Sequence, residues 1–189
     1  MSISTAYIAV LTIIVVLQLL VTYGLVRRLR VHTDLLNELI DENTLALAPG
    51  TPIPAFATHT TDGAALTDRD VRHPAAIALL EVDCPHCRTN LPDFLAYVRG
   101  AGFARENVLA VVATRDTTDP AERDAMLETL SAAATLVCES GDDAVIGTAL
   151  NAQAYPTFYL TDADATITRA VHAVRRLPNT TAATPSRSS

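Results

Sequence analysis

Cys84 and Cys87 stand two residues apart in "LLEVDCPHCRTNLPDF" (79–94), with Pro85 and His86 between them. Two thiols at this spacing can clip a metal, staple a loop, or carry electrons as a dithiol–disulfide couple. A structural zinc needs about four ligands, usually two such pairs or a pair plus spaced histidines. Only Cys138 and scattered histidines remain; His59, His73 and His172 lack ligand spacing and read as surface or turn residues. His86, inside the short loop, cannot easily fold back onto the same ion. A disulfide closing so short a loop removes little unfolded-state entropy, so a passive staple is a weak reason to keep one.

Redox exchange fits the surroundings better. "AAIALLEV" (75–82) is a nearly continuous apolar run, the pattern of a strand covered on both faces. Leu91, Phe94, Leu95 and Val98 then follow at helical spacing, until Gly100 and Gly102. Cys84 therefore falls at a helix N-terminus, where unpaired amides and the helix dipole favour a thiolate. Pro85 suits the first turn because it has no amide hydrogen to satisfy. His86 is expected to add a donor or partial positive charge. Cys84, nearer the helix start and more exposed, is expected to attack or be attacked. Cys87, nearly one turn further on, is expected to resolve the mixed disulfide from the buried side.

The remaining elements must hold that strand–helix junction in place. "GTPIPAF" (50–56) enters in extended form, since residues before proline avoid the helical region. "THTTDGAALTDRDV" reads as a hairpin-like excursion turning at Asp62-Gly63. "NVLAVVAT" (107–114) is a second buried strand. "TDPAERDAMLETLSAA" carries a helix start with Asp119 as cap, Pro120 first and Glu122 third. "TLVC" (135–138) is a third strand, where Cys138 reads as a small buried hydrophobe or, alternatively, as a third redox thiol or intermolecular bridge. A weak helix spans 144–150, and "YPTFYLTDADATITRAVHAV" gives two strands around Asp162 to Asp164. This order describes an α/β domain with helices covering a central sheet. Gly-rich phosphate loops are absent, and nothing calls for a cofactor or metal.

Hydrophobic residues make up 49 % of the chain, which excludes disorder throughout. Residues 2–26 hold no charged side chain, enough for a membrane span of about 20 apolar residues and longer than a signal-peptide core. The expected organisation is an anchor with its basic flank over 1–30, an amphipathic stalk or linker over 31–48, a domain over 49–176 and a disordered polar tail over 177–189. The tail includes "NTT" (179–181), a pattern common by chance. Arg27, Arg28 and Arg30 follow the span, so the positive-inside rule places the domain in the cytoplasm. The redox chemistry favours the other side. Net charge is −7, and residues 31–189 carry −10 once those three arginines are set aside. Such an acidic domain is a poor nucleic-acid binder and is repelled by anionic lipid.

Three elements in order carry a family resemblance: "GTPIPAF", "CPHC" with "LPDF" (91–94), and "YPTFYLTDADATI" (155–167). Over about 47–174 the chain resembles the membrane-tethered, thioredoxin-like thiol–disulfide proteins of bacteria, of the TlpA and ResA type and especially the MauD-like branch. The resemblance implies a thioredoxin-like fold with a mixed central sheet, preceded by one transmembrane helix and exported. It implies exchange of disulfides with cysteine-containing client proteins and with a redox partner protein. It also implies a cis bond before Pro156, with the Tyr155 backbone presented to the client; otherwise Pro156 merely starts an edge strand.

Some positions depart from that pattern. Asp83 directly precedes the first cysteine and is expected to oppose a thiolate. Asn90 stands where ResA-type proteins often have a glutamate. Glu81 either replaces the buried acid of thioredoxins or, more simply, points outward at the strand end. Little more than a tail follows Val174, where the family has a helix. The competing reading is an anchored assembly factor that binds a partner without redox turnover. A peroxidase is disfavoured because no Thr-x-x-Cys arrangement accompanies Cys84.

Overall fold

The computed structural model describes residues 12–14, 16–18 and 46–178. Residues 12–14 and 16–18 are helical, with Ile13, Ile14, Val16 and Leu17 exposed. Most of the expected span, the three arginines, the stalk up to residue 45 and the tail from residue 179 lie outside the described residues. Among the described residues no helix is long and apolar enough to cross a membrane.

Residues 46–178 build a five-stranded sheet with the order β5-β4-β3-β6-β7. Its strands are β3 (Ala76–Glu81), β4 (Val108–Thr114), β5 (Thr135–Ser140), β6 (Thr157–Thr161) and β7 (Ile167–Val171). β3, β4 and β5 run parallel; β6 is antiparallel to both β3 and β7. The parallel half follows from crossover helices: α1 (Pro85–Gly100) joins β3 to β4, and α2 (Pro120–Ser131) joins β4 to β5. A short α3 (Val145–Ala149) precedes β6. β6 and β7 form a hairpin whose turn is closed by Asp162 Oδ1, which accepts from the amides of Asp164 at 3.0 Å and Thr166 at 2.9 Å. The antiparallel pair β1 (Ala57–His59) and β2 (Ala65–Thr67) is the expected excursion, with Gly63 at φ 84 in its turn.

Strand periodicity divides the core. Ala76, Ala78 and Leu80 of β3 pack towards Leu91, Phe94 and Val98 of α1 and Met126 and Leu130 of α2. Phe94 stacks on Phe158 with ring centroids 5.2 Å apart. Ile77 and Leu79 face the other way, towards Tyr159, Ile146, Leu150, Phe56 and Leu66. β3 is thus covered on both faces, as its unbroken apolar run requires.

Both domain edges extend further than the sequence indicates. Ala46, assigned to the linker, is 2 % exposed and packs with Phe56 and Tyr159. Leu177, assigned to the tail, is 6 % exposed in the core beside α1. Where the resemblance implies a helix, a 3-10 turn at Val174–Arg176 brings Val174 and Leu177 onto that face. The opening segment pairs along β7: Gly50 donates to Ile167 O, Ile167 to Thr51 O and Ile53 to Ala165 O.

His73 stands in a bend, as a turn residue would, and is half-buried. It precedes Pro74 across a cis peptide, and its Nδ1 lies 2.7 Å from Thr161 Oγ1 on β6. Its Nε2 is buried without a hydrogen-bond partner. Burial pushes the ring below the ordinary imidazole range, against the opposing charge of Asp162. The unfolded chain then binds a proton that the folded one resists, so stability falls as pH drops below about 6.5. Urea midpoints measured between pH 8 and 5 should show this slope, and His73→Leu should flatten it.

Candidate functional site

The site forms where β3 ends. Its last residue, Glu81, is followed by the short link Val82-Asp83, and Cys84 caps α1. Cys84 has extended backbone angles, and its sulfur accepts from the Cys87 amide at 3.3 Å. Pro85 takes the first helical position, as expected. The helix stops where the amides of Ala101, Gly102 and Phe103 donate to Tyr97, Arg99 and Val98, with Gly102 at φ 74.

The two thiols occupy different environments. Cys84 is half-buried, and its thiol donates to Tyr155 O at 3.5 Å. Cys87 is 0 % exposed, and its sulfur accepts from the Glu81 amide at 3.3 Å. Burial pushes the Cys87 thiol well up; the Cys84 thiol adds to this and the Glu81 amide opposes it. One sulfur is reachable and the other is withheld.

The Tyr155–Pro156 peptide is cis. Pro156 leads into β6, which lies between β3 and β7, so the edge-strand alternative is wrong. Tyr155 touches both cores. Burial pushes its phenol up, helped by the charges of Glu139, Glu81 and Cys87.

Glu81 does not point outward. Its side chain is 13 % exposed and pairs with Arg115 at 2.7 Å. Its charge also contributes to the raised Cys87 thiol. The pair forms because β4 runs parallel beside β3, and Arg115 immediately follows β4. Asp83 accepts from the Thr118 hydroxyl at 2.5 Å, which ties the segment after β4 to the cysteine loop. His86 is exposed. Asn90, which departs from the resembled pattern, clamps two elements: its amide donates to His86 O at 2.9 Å, and its oxygen accepts from the Val174 amide at 3.1 Å. Among the described residues no three His, Cys, Asp or Glu side chains are grouped to hold a metal.

Three placements correct the sequence reading. Cys138 is exposed, because β5 is an edge strand and Cys138 faces the side opposite Val137 and Glu139. Partial desolvation pushes its thiol up, opposed by Arg123 and Thr114. His172 stands in a bend directly after β7 and is half-buried rather than at the surface. Its Nδ1 lies 3.0 Å from both Thr157 Oγ1 and Pro156 O, and its Nε2 is buried. Glu139 was missed altogether. It is 4 % exposed and accepts from the Ile146 amide at 2.6 Å and the Gly147 amide at 3.1 Å. A Cβ on Gly147 would lie 3.5 Å from the Tyr155 hydroxyl and 3.6 Å from Glu139 Oε2, so both groups flank this glycine. Continuing the alternation past Cys138 would have turned Glu139 inward with Val137.

The buried, proton-holding Cys87 gives a direct expectation. At pH 8 iodoacetamide should modify the half-buried Cys84 of the reduced protein and spare Cys87, which is fully buried and holds its proton, because alkylation needs an accessible thiolate. Peptide mapping by mass spectrometry, before and after denaturation, reads this out. Native labelling of Cys87 as fast as Cys84 would contradict it.

No protein-family model matches the chain, and comparison with curated proteins finds no match. Solved structures do match. A candidate protein disulfide isomerase from Bacteroides thetaiotaomicron is similar with a TM-score of 0.51 and 17 % identity, over 67 % of this chain and 80 % of that one. A thio-disulfide isomerase from Thermus thermophilus is similar with a TM-score of 0.49 and 19 % identity, over 67 % of this chain and 87 % of that one. A secreted Mycobacterium tuberculosis disulfide oxidoreductase gives a TM-score of 0.48 and 19 % identity, over 66 % and 84 %. At these identities the likeness is one of fold: residues 46–178 adopt a thioredoxin-like α/β fold with a mixed central sheet.

Proposed function

We propose that the protein exchanges disulfides with protein clients through Cys84 and Cys87. The observation that carries this reading is the unequal pair: a reachable sulfur at a helix start, 3.5 Å from the Tyr155 carbonyl, with a fully buried thiol one turn behind. In the reducing direction the Cys84 thiolate attacks a client disulfide. A mixed disulfide forms, and one client thiolate leaves. Cys87 then loses its proton and attacks the Cys84 sulfur. The Cys84–Cys87 disulfide forms, the second client thiolate leaves, and two electrons have passed to the client. A redox partner protein resets the pair, and the reverse sequence oxidises a client dithiol. Glu81, whose charge reaches Cys87, is the proposed acceptor of the Cys87 proton. The Tyr155 backbone is the proposed client contact.

The test is reduction of insulin disulfides with dithiothreitol as electron source. Cys84→Ser should abolish the catalysed rate. Cys87→Ser should abolish turnover while trapping client on Cys84 as a mixed disulfide, visible on a non-reducing gel. Client maturation that persists in the double serine variant would instead mark an assembly factor, and would sink this reading.

The same proposal places residues 2–26 in a bilayer and the domain outside the cytoplasm, where disulfides persist. The charge-free run and the exposed apolar residues Ile13, Ile14, Val16 and Leu17 support it. On intact cells a membrane-impermeant maleimide should then label Cys138; labelling only after lysis would reverse the orientation.

A further inference from the structure

Three consecutive carbonyls lead into β6, and each meets a side chain. The Thr157 hydroxyl donates to Ala154 O at 2.6 Å. The Cys84 thiol donates to Tyr155 O at 3.5 Å. The His172 Nδ1 lies 3.0 Å from Pro156 O and 3.0 Å from Thr157 Oγ1. A carbonyl oxygen only accepts, so His172 Nδ1 carries a proton. The Thr157 hydroxyl proton is directed at Ala154 O, so Thr157 Oγ1 also accepts from the ring. In the neutral ring Nε2 is then a bare lone pair, buried without a hydrogen-bond partner. Buried polar atoms are nearly always paired, and disulfide exchange through Cys84 and Cys87 gives this ring no task.

We propose that His172 is a positioning residue for client docking. Through Nδ1–H it braces the segment Ala154–Thr157, which fixes where the Tyr155 backbone stands beside Cys84. This deepens the disulfide-exchange reading and rests on it. The ring projects from the end of β7, whose Val171 is in register with Phe158 of β6. The sheet therefore sets the position of the brace, independently of the loop it holds. The opposite tautomer would turn a lone pair towards the Pro156 carbonyl, so one protonation pattern is enforced. The brace touches the Pro156 carbonyl and the Thr157 hydroxyl and no sulfur, and it acts on client binding rather than on thiol reactivity.

Two measurements on the full chain test this. Long-range proton–nitrogen correlation spectra of the labelled protein report the His172 tautomer. The Nδ1–H form is expected; the Nε2–H form overturns the proposal. Insulin reduction with dithiothreitol is then compared between wild type, His172→Leu and His172→Asn. His172→Leu should raise KM about tenfold, the ratio equivalent to about 1.4 kcal/mol. It should leave kcat and the rate of Cys84 alkylation by iodoacetamide unchanged. His172→Asn, which can offer an amide hydrogen near the place of Nδ1, should recover most of the loss. An unchanged KM, or a parallel fall in kcat and alkylation rate, overturns the brace. Should His172→Leu fail to fold, the His172 ring signals in Cys87→Ser must shift when insulin is trapped on Cys84; unmoved signals refute the role. A wild type with no insulin turnover removes the exchange reading and the brace together, whereas normal turnover with the wrong tautomer removes the brace alone.

Discussion

The sulfur of Cys84 sits where the chain has left a buried strand but has not yet closed its first helical turn. The rest of the molecule depends on that placement. The Cys87 amide reaches the sulfur because α1 starts there, and α1 starts there because Cys84 is extended and Pro85 follows it. The start is fixed in space by β3, whose alternate side chains lock into both cores. Shifting the strand by one residue would exchange its two faces and carry the sulfur away from the Tyr155 carbonyl. A packing constraint thus sets a chemical one.

Charge around the pair is distributed with similar economy. Glu81 is largely buried, and Arg115 neutralises much of it from the exposed side. Glu139 flanks Gly147 together with the Tyr155 hydroxyl, and the amides of Ile146 and Gly147 donate to its carboxylate. Asp83 is engaged by Thr118. Three carboxylates therefore lie around the Cys84, Cys87 and Tyr155 cluster, yet each has a partner of its own. An unpartnered carboxylate would oppose ionisation of a nearby thiol through the low-dielectric interior. The Arg115–Thr118 segment supplies two of these partners, so it belongs to the site although it carries no reacting atom.

What the sequence disclosed was whatever local pattern controls. The β3 run, the cap at Cys84, the start of α2 at Asp119 and the Asp162 turn are short-range features, and all appear where expected. What it hid depends on how distant segments meet. Glu81 read as an outward residue because its arginine is 34 positions away and adjacent only across the β3–β4 ladder. His172 read as incidental because its partners Pro156 and Thr157 lie across the β6–β7 hairpin. Cys138 read as buried because an apolar neighbourhood says nothing about edge position. Asn90 was judged by what it is not, a glutamate, whereas its amide joins α1 to the chain after β7.

Thr61 donates to Leu136 on β5, and the chain from Gly50 to Ile53 hydrogen-bonds with β7. Both rims of the sheet are thereby met by the protein's own backbone. Uncovered rims invite strand-by-strand addition of other polypeptides, including unfolded ones. Blunted rims leave the sheet offering little template for aggregation.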